Sequence, residues 1–164
     1  MRLILAAIGK LRPGPERILY DRYMERATPL GRQAGFSPLT SWEISESHAR
    51  TSKERKAQEA ATLENTHSGL LKDRTIPLIV CDPHGESLST EAFCSLLTRL
   101  RDQNCSSTCV LIGGPDGLHD SLLKRAEKSI AFGAMTMPHQ LVRILLAEQV
   151  YRMLTRLCGH PYHR

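Results

Sequence analysis

The sequence predicts an α/β protein whose mostly parallel sheet is covered by helices on both faces. Three observations lead there. Apolar runs of strand length, Leu3 to Ile8, Ile76 to Cys81 and Thr108 to Ile112, punctuate the chain. Stretches of helical character lie between them. The loops after the later strands are rich in Gly and Pro: Cys81-Asp82-Pro83-His84-Gly85, Ile112-Gly113-Gly114-Pro115-Asp116-Gly117 and Phe132-Gly133-Ala134-Met135-Thr136-Met137-Pro138-His139.

Taken in order, the first run reads as a buried strand. It is too short for a secretory leader and stops at Gly9-Lys10-Leu11-Arg12 without a cleavage pattern. A helix from Pro15 to Ala27 follows Pro13-Gly14-Pro15, and Leu39 to Ile44 alternates around Trp42 as a weaker strand. Arg50 to Lys72 reads as one long charged helix. Its Arg50, Lys53, Arg55 and Lys56, set against Glu54, Glu59 and Glu64, suit either a solvated face or a patch that touches RNA phosphates. Ser89 to Asp102 is a helix, with Ser89-Thr90-Glu91-Ala92 taken as its capping box and Leu96, Leu97 and Leu100 as its apolar stripe. Leu118 to Lys128 and Pro138 to Leu157 are the last helices, on either side of a weaker strand at Ser129 to Met135.

Length and composition bound the function. The 164 residues suit a single domain spanning 1–164, and 41% apolar with 24% charged residues is ordinary for a soluble globular protein. A formal charge of +5 admits an anionic partner such as RNA without demanding one. No run is long enough to cross a bilayer, which argues against a membrane protein. The five cysteines are odd in number and contain no CxxC pair, so reduced thiols in a cytoplasm are expected, with no disulfide framework and no metal site.

Chemistry concentrates at two places. In open α/β sheets ligands sit beyond the carboxyl ends of the strands, where small residues let backbone approach a ligand closely. The Gly113 to Gly117 loop is neither a Walker A loop nor a GxGxxG fingerprint, so a phosphate cradle is a weak reading of it. The last helix is apolar nearly all round, which implies burial on several sides and suits a subunit interface as well as a core. Its Arg143, on the same face as His139, needs an anionic partner or a polar pocket; Glu148 and Arg152 form an i,i+4 pair. The second place is the terminus, Gly159-His160-Pro161-Tyr162-His163-Arg164, which gathers two imidazoles, a phenol and a guanidinium.

At these residues the chain resembles a known family. Met1-Arg2-Leu3 with Ile8-Gly9-Lys10, the Ile112 to Leu118 loop, Met135 to Arg143, Ala147 to Arg152 and terminal His160-Pro161-Tyr162-His163-Arg164 are similar to the RlmH-type methyltransferases of the SPOUT class. These enzymes methylate N3 of a pseudouridine in large-subunit (23S) ribosomal RNA. The resemblance covers essentially the whole chain and is most specific from Ile112 onward. It implies a C-terminal trefoil knot, with the knotted cofactor-binding part at about 76–164. It also implies a homodimer with the last helix in its interface, S-adenosylmethionine as cofactor, and an rRNA substrate, attractive as an assembled ribosome. Cofactor contacts would fall at Cys81 and Gly113 and along Phe132, Gly133, Ala134, Met135, Thr136 and Met137. Cys81 stands where relatives carry a larger aliphatic residue, and Phe36 to Leu71 matches loosely.

Attack by pseudouridine N3 requires loss of its imide proton, which calls for a base or for donors that stabilise the anion. His163, or His160, is suited as base, Tyr162 as donor or stacking ring, and Arg164 and Arg143 as cations for a phosphate or the imide oxygens. The tail is expected to reach the partner's cofactor; capping the dimer interface is its alternative role. Two other functions compete with this reading. One is a non-enzymatic, ribosome-associated RNA-binding dimer. The other is a phosphate-ester enzyme using Asp82 and Asp116, which lacks clustered metal ligands.

Overall fold

The computed structural model describes residues 1–163, apart from the side chains of His67, Ser68, Leu70 and His163. Five strands, β1 (Arg2–Ile8), β2 (Leu39–Ile44), β3 (Leu78–Ser87), β4 (Ser107–Ile112) and β5 (Lys128–Ala131), form one sheet in the order β2-β1-β4-β3-β5. Every pairing is parallel. The helices are α1 (Pro15–Gln33), α2 (Ser52–Asn65), α3 (Thr90–Asp102), α4 (Asp120–Arg125) and α5 (His139–Leu157).

Alternation along β1 divides the core in two. Leu3, Leu5 and Ala7 face one side, where they pack with Ala27 of α1, Phe93, Leu97 and Leu100 of α3, and Leu146 and Val150 of α5. Ile4, Ala6 and Ile8 face the other, against Ala60 and Leu63 of α2, Leu71, and Leu122 of α4. Both faces are thus covered, as the continuous apolar runs require. Among the described residues no helix is long and apolar enough to cross a membrane.

Several boundaries differ from the sequence-based expectation. α1 runs past Pro29 to Gln33 instead of ending at Ala27. Its last turns are held on α5, where Gly31 lies so close that a Cβ would meet the Phe36 carbonyl oxygen at 2.7 Å and Leu154 Cδ1 at 3.8 Å. The single helix expected over Arg50 to Lys72 is two pieces: α2 ends at Asn65 and a 3-10 turn covers His67–Lys72. The break falls where Asn65 Nδ2 and Thr66 Oγ1 bond back to the Ala61 and Thr62 carbonyls, local bonds that compete with helix continuation. The complete capping box belongs to α2, through Thr51 and Glu54. At α3, Ser89 Oγ accepts from the Ala92 amide, but an alanine at that position cannot return the bond.

Asp82-Pro83-His84-Gly85 is not a loop after β3 but a register shift within it, between Cys81 and Glu86 opposite β5. A Cβ on Gly85 would lie 2.6 Å from Ile130 backbone atoms, so only glycine allows the crossing. The last strand, in turn, is shorter than Ser129 to Met135. It ends at Ala131, and the chain leaves it through Gly133 at φ +126°.

Candidate cofactor cleft

The bulge in β3, the carboxyl ends of β4 and β5 and the start of α5 enclose a cleft of about 440 Å³. Cys81, Gly113, Phe132, Gly133, Met135, Thr136 and Met137 line it, together with Gly114, Pro115, Gly117, His139 and Val142. Seven of the eight residues expected at a cofactor therefore meet in one place; Ala134 sits in the same loop but is exposed and not in the lining. The volume and largely apolar lining suit a small-molecule site.

The Gly113 to Leu118 loop is tightly fixed. Gly117 donates to the Gly114 carbonyl at 2.9 Å and takes φ +81°. A Cβ on Gly113 would approach Leu118 Cγ at 3.0 Å and the Gly117 carbonyl carbon at 3.2 Å. From outside, Arg55 of α2 clamps the loop by donating twice to Asp116, at 2.6 and 2.9 Å, which holds that carboxyl below its ordinary range. Behind it lies Glu59, buried and accepting from the Ser47 amide at 2.9 Å. Burial raises its pKa, and the neighbouring Asp116 and Glu46 charges add to the shift.

At the start of α5, His139 lines the cleft while its Nε2 is buried without a hydrogen-bond partner among the described residues. Burial, then the Arg143 charge, lowers the ring's pKa to about 4, against a hydrogen bond with the Gly113 backbone that acts the other way. It is therefore a neutral imidazole at physiological pH. Arg143, expected to hold a phosphate or the imide oxygens, is buried within the fold. Its side chain is 3% exposed, absent from the cleft lining, and bonded to Glu43 at 2.6 Å and to the Gly9 carbonyl. A guanidinium this deep needs both partners in place of water.

Glu43 is a residue that sequence reasoning misses. It sits in β2 and accepts from Arg143, from Arg17 at 3.0 Å and from the Leu11 amide at 3.2 Å. Burial opposes its charge, but the Leu11 amide and the two guanidinium groups outweigh that and lower its pKa. A glutamate in an alternating strand, together with a lone arginine in an apolar helix, is the only sequence signal that could have paired them. Burial pushes the Cys81 thiol up to about 12, which favours the protonated thiol at physiological pH. Among the described residues no group of three or more His, Cys, Asp or Glu could hold a metal ion.

The tail lies elsewhere. Tyr162 folds back on α5, its ring 4.6 Å from Tyr151 and under the Arg152 guanidinium, and its hydroxyl donates to Glu148 at 3.2 Å. Burial raises its pKa, as do Tyr23 and Glu148. Glu148 is nine residues beyond His139, about 14 Å along the helix at 1.5 Å per residue. Tyr162 is thus not brought to the cleft of its own chain. His163 closes the short turn Pro161–His163, and its side chain and all of Arg164 lie outside the described residues.

Comparison with known proteins adds a third line. The family model described as "Predicted SPOUT methyltransferase" matches residues 1–163. The chain is 46% identical to the ribosomal RNA large subunit methyltransferase H of Rhodopseudomonas palustris (strain TIE-1), over 100% of this chain and 99% of that protein. Against the protein of the same name from Bradyrhizobium sp. (strain ORS 278) the identity is 44%, over 100% of this chain and 98% of that one. Among solved structures, the SpoU methyltransferase AviRb from Streptomyces viridochromogenes, in complex with AdoMet, is 9% identical with a TM-score of 0.46, covering 97% of this chain and 61% of that one.

Proposed function

Because this chain belongs to the SPOUT methyltransferase family, we propose that it transfers the methyl group of S-adenosylmethionine to N3 of a pseudouridine in 23S ribosomal RNA. The observation that carries this reading is the convergence of the β3 bulge and the loops after β4 and β5 on one cleft of nucleoside size. The near-full-length identity to ribosomal RNA large subunit methyltransferases supports rRNA as the substrate. Such a substrate, with five free thiols, fits a cytoplasmic protein. On this reading residues 1–164 form one domain, knotted from about residue 76.

The residues present fit the cofactor. Gly113, Gly114, Gly117 and Gly133 leave backbone accessible, Phe132 and the aliphatic wall offer apolar contact, and the buried His139 Nε2 lacks a polar partner among the described residues. S-adenosylmethionine, when bound, supplies a methyl group already activated on a sulfonium. The chain's task is then to position that group and the attacking nitrogen in line and to manage one proton. His163 takes the imide proton, Tyr162 donates to the developing anion, and Arg164 holds an oxygen or phosphate of the RNA. Arg143 contributes by fixing α5 against β1 and β2.

Tyr162 and the cleft lie apart within one chain, so the tail serves the cleft of a partner in a homodimer. The surface that α5 leaves partly uncovered supports this: Leu141, Leu145, Glu148 and Arg152 follow one another at helical spacing, and Leu141 is 46% exposed. Phosphates of the RNA meet the exposed cations Arg50 and Lys53 and the half-buried Lys56 around the start of α2, beside the cleft loop that Arg55 clamps.

The deciding experiment is methyl transfer from labelled S-adenosylmethionine to assembled ribosomes that lack the modification, with the modified base mapped by mass spectrometry. Label at N3 of one large-subunit pseudouridine is expected. Cofactor binding without transfer to any ribosomal substrate would overturn the assignment of substrate while leaving the family intact.

A further inference from the structure

The polar wall of the cleft contains one atom without an assigned task. His139 lies at the first turn of α5, lines the cleft, and interacts with the backbone of Gly113 across it. Its Nε2 is buried and makes no hydrogen bond among the described residues. Buried polar atoms in folded proteins are almost always paired, so an orphan at a ligand-sized cleft calls for a partner that arrives with the ligand.

The surroundings decide what that partner is. The charged groups that face the ring are Arg143, one turn on in α5, and Glu43, from β2. Glu43 and the Gly9 carbonyl hold the Arg143 guanidinium, which is absent from the cleft lining. The ring is therefore kept uncharged beside a fixed cation, and a neutral imidazole has one nitrogen free to accept. The complementary ligand group is a hydroxyl or an amino group. A nucleoside carries both, as ribose hydroxyls and as an exocyclic amine.

We infer that His139 is a positioning residue of the cofactor site: it holds the Gly113 loop against the start of α5 and accepts, through Nε2, a hydrogen bond from a hydroxyl or amino group of the bound nucleoside. Glu43 and Arg143 act through it by keeping the helix start in place. The inference rests on the cofactor reading given above.

Two measurements on the full chain test it. In the first, nitrogen chemical shifts of the His139 ring are recorded by NMR on the unaltered protein, with and without S-adenosylmethionine. Nε2 is expected to move in the direction of a newly accepted hydrogen bond, and an Nε2 that stays where it is while the cofactor binds overturns the proposal. In the second, cofactor affinity is measured by calorimetry for His139→Phe and His139→Gln. Phenylalanine fills the ring's place without a polar atom and should weaken binding about three- to tenfold, the cost of one hydrogen bond. Glutamine restores an acceptor near Nε2 and should recover affinity to within about twofold. A folded His139→Phe protein that binds as tightly as the original also overturns it. No cofactor binding by the unaltered chain would instead sink the parent reading and take this one with it.

Discussion

Arg143 donates to Glu43 at 2.6 Å across the space between α5 and β2, with the guanidinium side chain 3% exposed and the carboxylate 20% exposed. The two partners are not equally dependent on each other. Glu43 keeps Arg17 and the Leu11 amide if Arg143 is removed, whereas Arg143 without Glu43 keeps, among the described residues, only the Gly9 carbonyl.

That asymmetry predicts unequal costs. Glu43→Gln leaves a buried cation uncompensated and should cost about 3 kcal/mol, or roughly 6–12 °C in Tm for a domain of this size. Arg143→Met should cost about 1–2 kcal/mol, because the carboxylate retains partners. Urea unfolding at a fixed protein concentration measures both. Equal costs would mean that Arg17 contributes nothing to holding Glu43.

His139 predicts a pH dependence. Its folded pKa of about 4 lies below the ordinary histidine value, so the unfolded chain takes up the proton first. The stability that the neutral ring contributes is therefore full above about pH 6.5 and is lost as pH falls toward 4, amounting to about 3 kcal/mol in all. Glu43, whose pKa is lowered, loses stability in the same direction but only below the ordinary glutamate range. His139→Gln should flatten the stability profile between pH 6.5 and 4.5 and leave the more acidic part unchanged. A profile in His139→Gln as steep as the original would assign that dependence to other groups.

Gly113→Ala tests the cleft loop. The added methyl would press on Leu118 Cγ at 3.0 Å and on the Gly117 carbonyl carbon at 3.2 Å, and the Gly117 backbone cannot yield without opening the turn that its amide closes on Gly114. Cofactor affinity should fall about tenfold or more while the melting temperature drops by a few degrees, since one displaced loop costs on the order of 1–2 kcal/mol. Unchanged affinity, measured by calorimetry, would show that the ligand does not approach this backbone.

The parallel, doubly covered sheet and the place of the cleft were legible because both depend on local pattern. Apolar runs mark strands buried on both faces, and Gly-rich segments mark where backbone must turn or come close. The resemblance to a methyltransferase family named eight cofactor contacts, and seven of them line the cleft. What was hidden depends on long-range partners. Whether Arg143 faces a ligand or the interior is set by Glu43, a hundred residues earlier in the chain. The end of α1 is not visible locally because Pro29 weakens a helix, and packing of Gly31 on Leu154 overrides it. Asp82 to Gly85 has the composition of a turn, and only the nearness of Ile130 reveals a bulge.

The cations around the start of α2 predict a salt-dependent RNA affinity. Lys53→Glu with Lys56→Glu should weaken binding to the rRNA substrate about tenfold or more at moderate salt. The slope of log affinity against log salt should fall by about 0.9 for each duplex phosphate that the protein ceases to neutralise, or about 0.7 for each phosphate of a single strand. Cofactor affinity should stay the same, because neither lysine lines the cleft. An unchanged slope would place the RNA on another face.

Tyr162 turns back onto Glu148, about 14 Å along α5 from His139, which predicts that tail and cleft cooperate only between chains. Two inactive proteins test this: one truncated after Gly159, with an intact cleft, and one with the cleft blocked by Gly113→Val, with an intact tail. If each cleft takes its tail from the partner, a mixed dimer joins the intact cleft of one chain to the intact tail of the other. Random pairing makes about half the dimers mixed, each with one working site of two, so co-expression should restore about a quarter of the full transfer activity. If a tail serves its own cleft, no chain in the mixture carries both parts and activity stays at background. Labelled methyl transfer to ribosomes reads the difference directly, and size-exclusion chromatography of the mixed sample confirms that the dimers have exchanged.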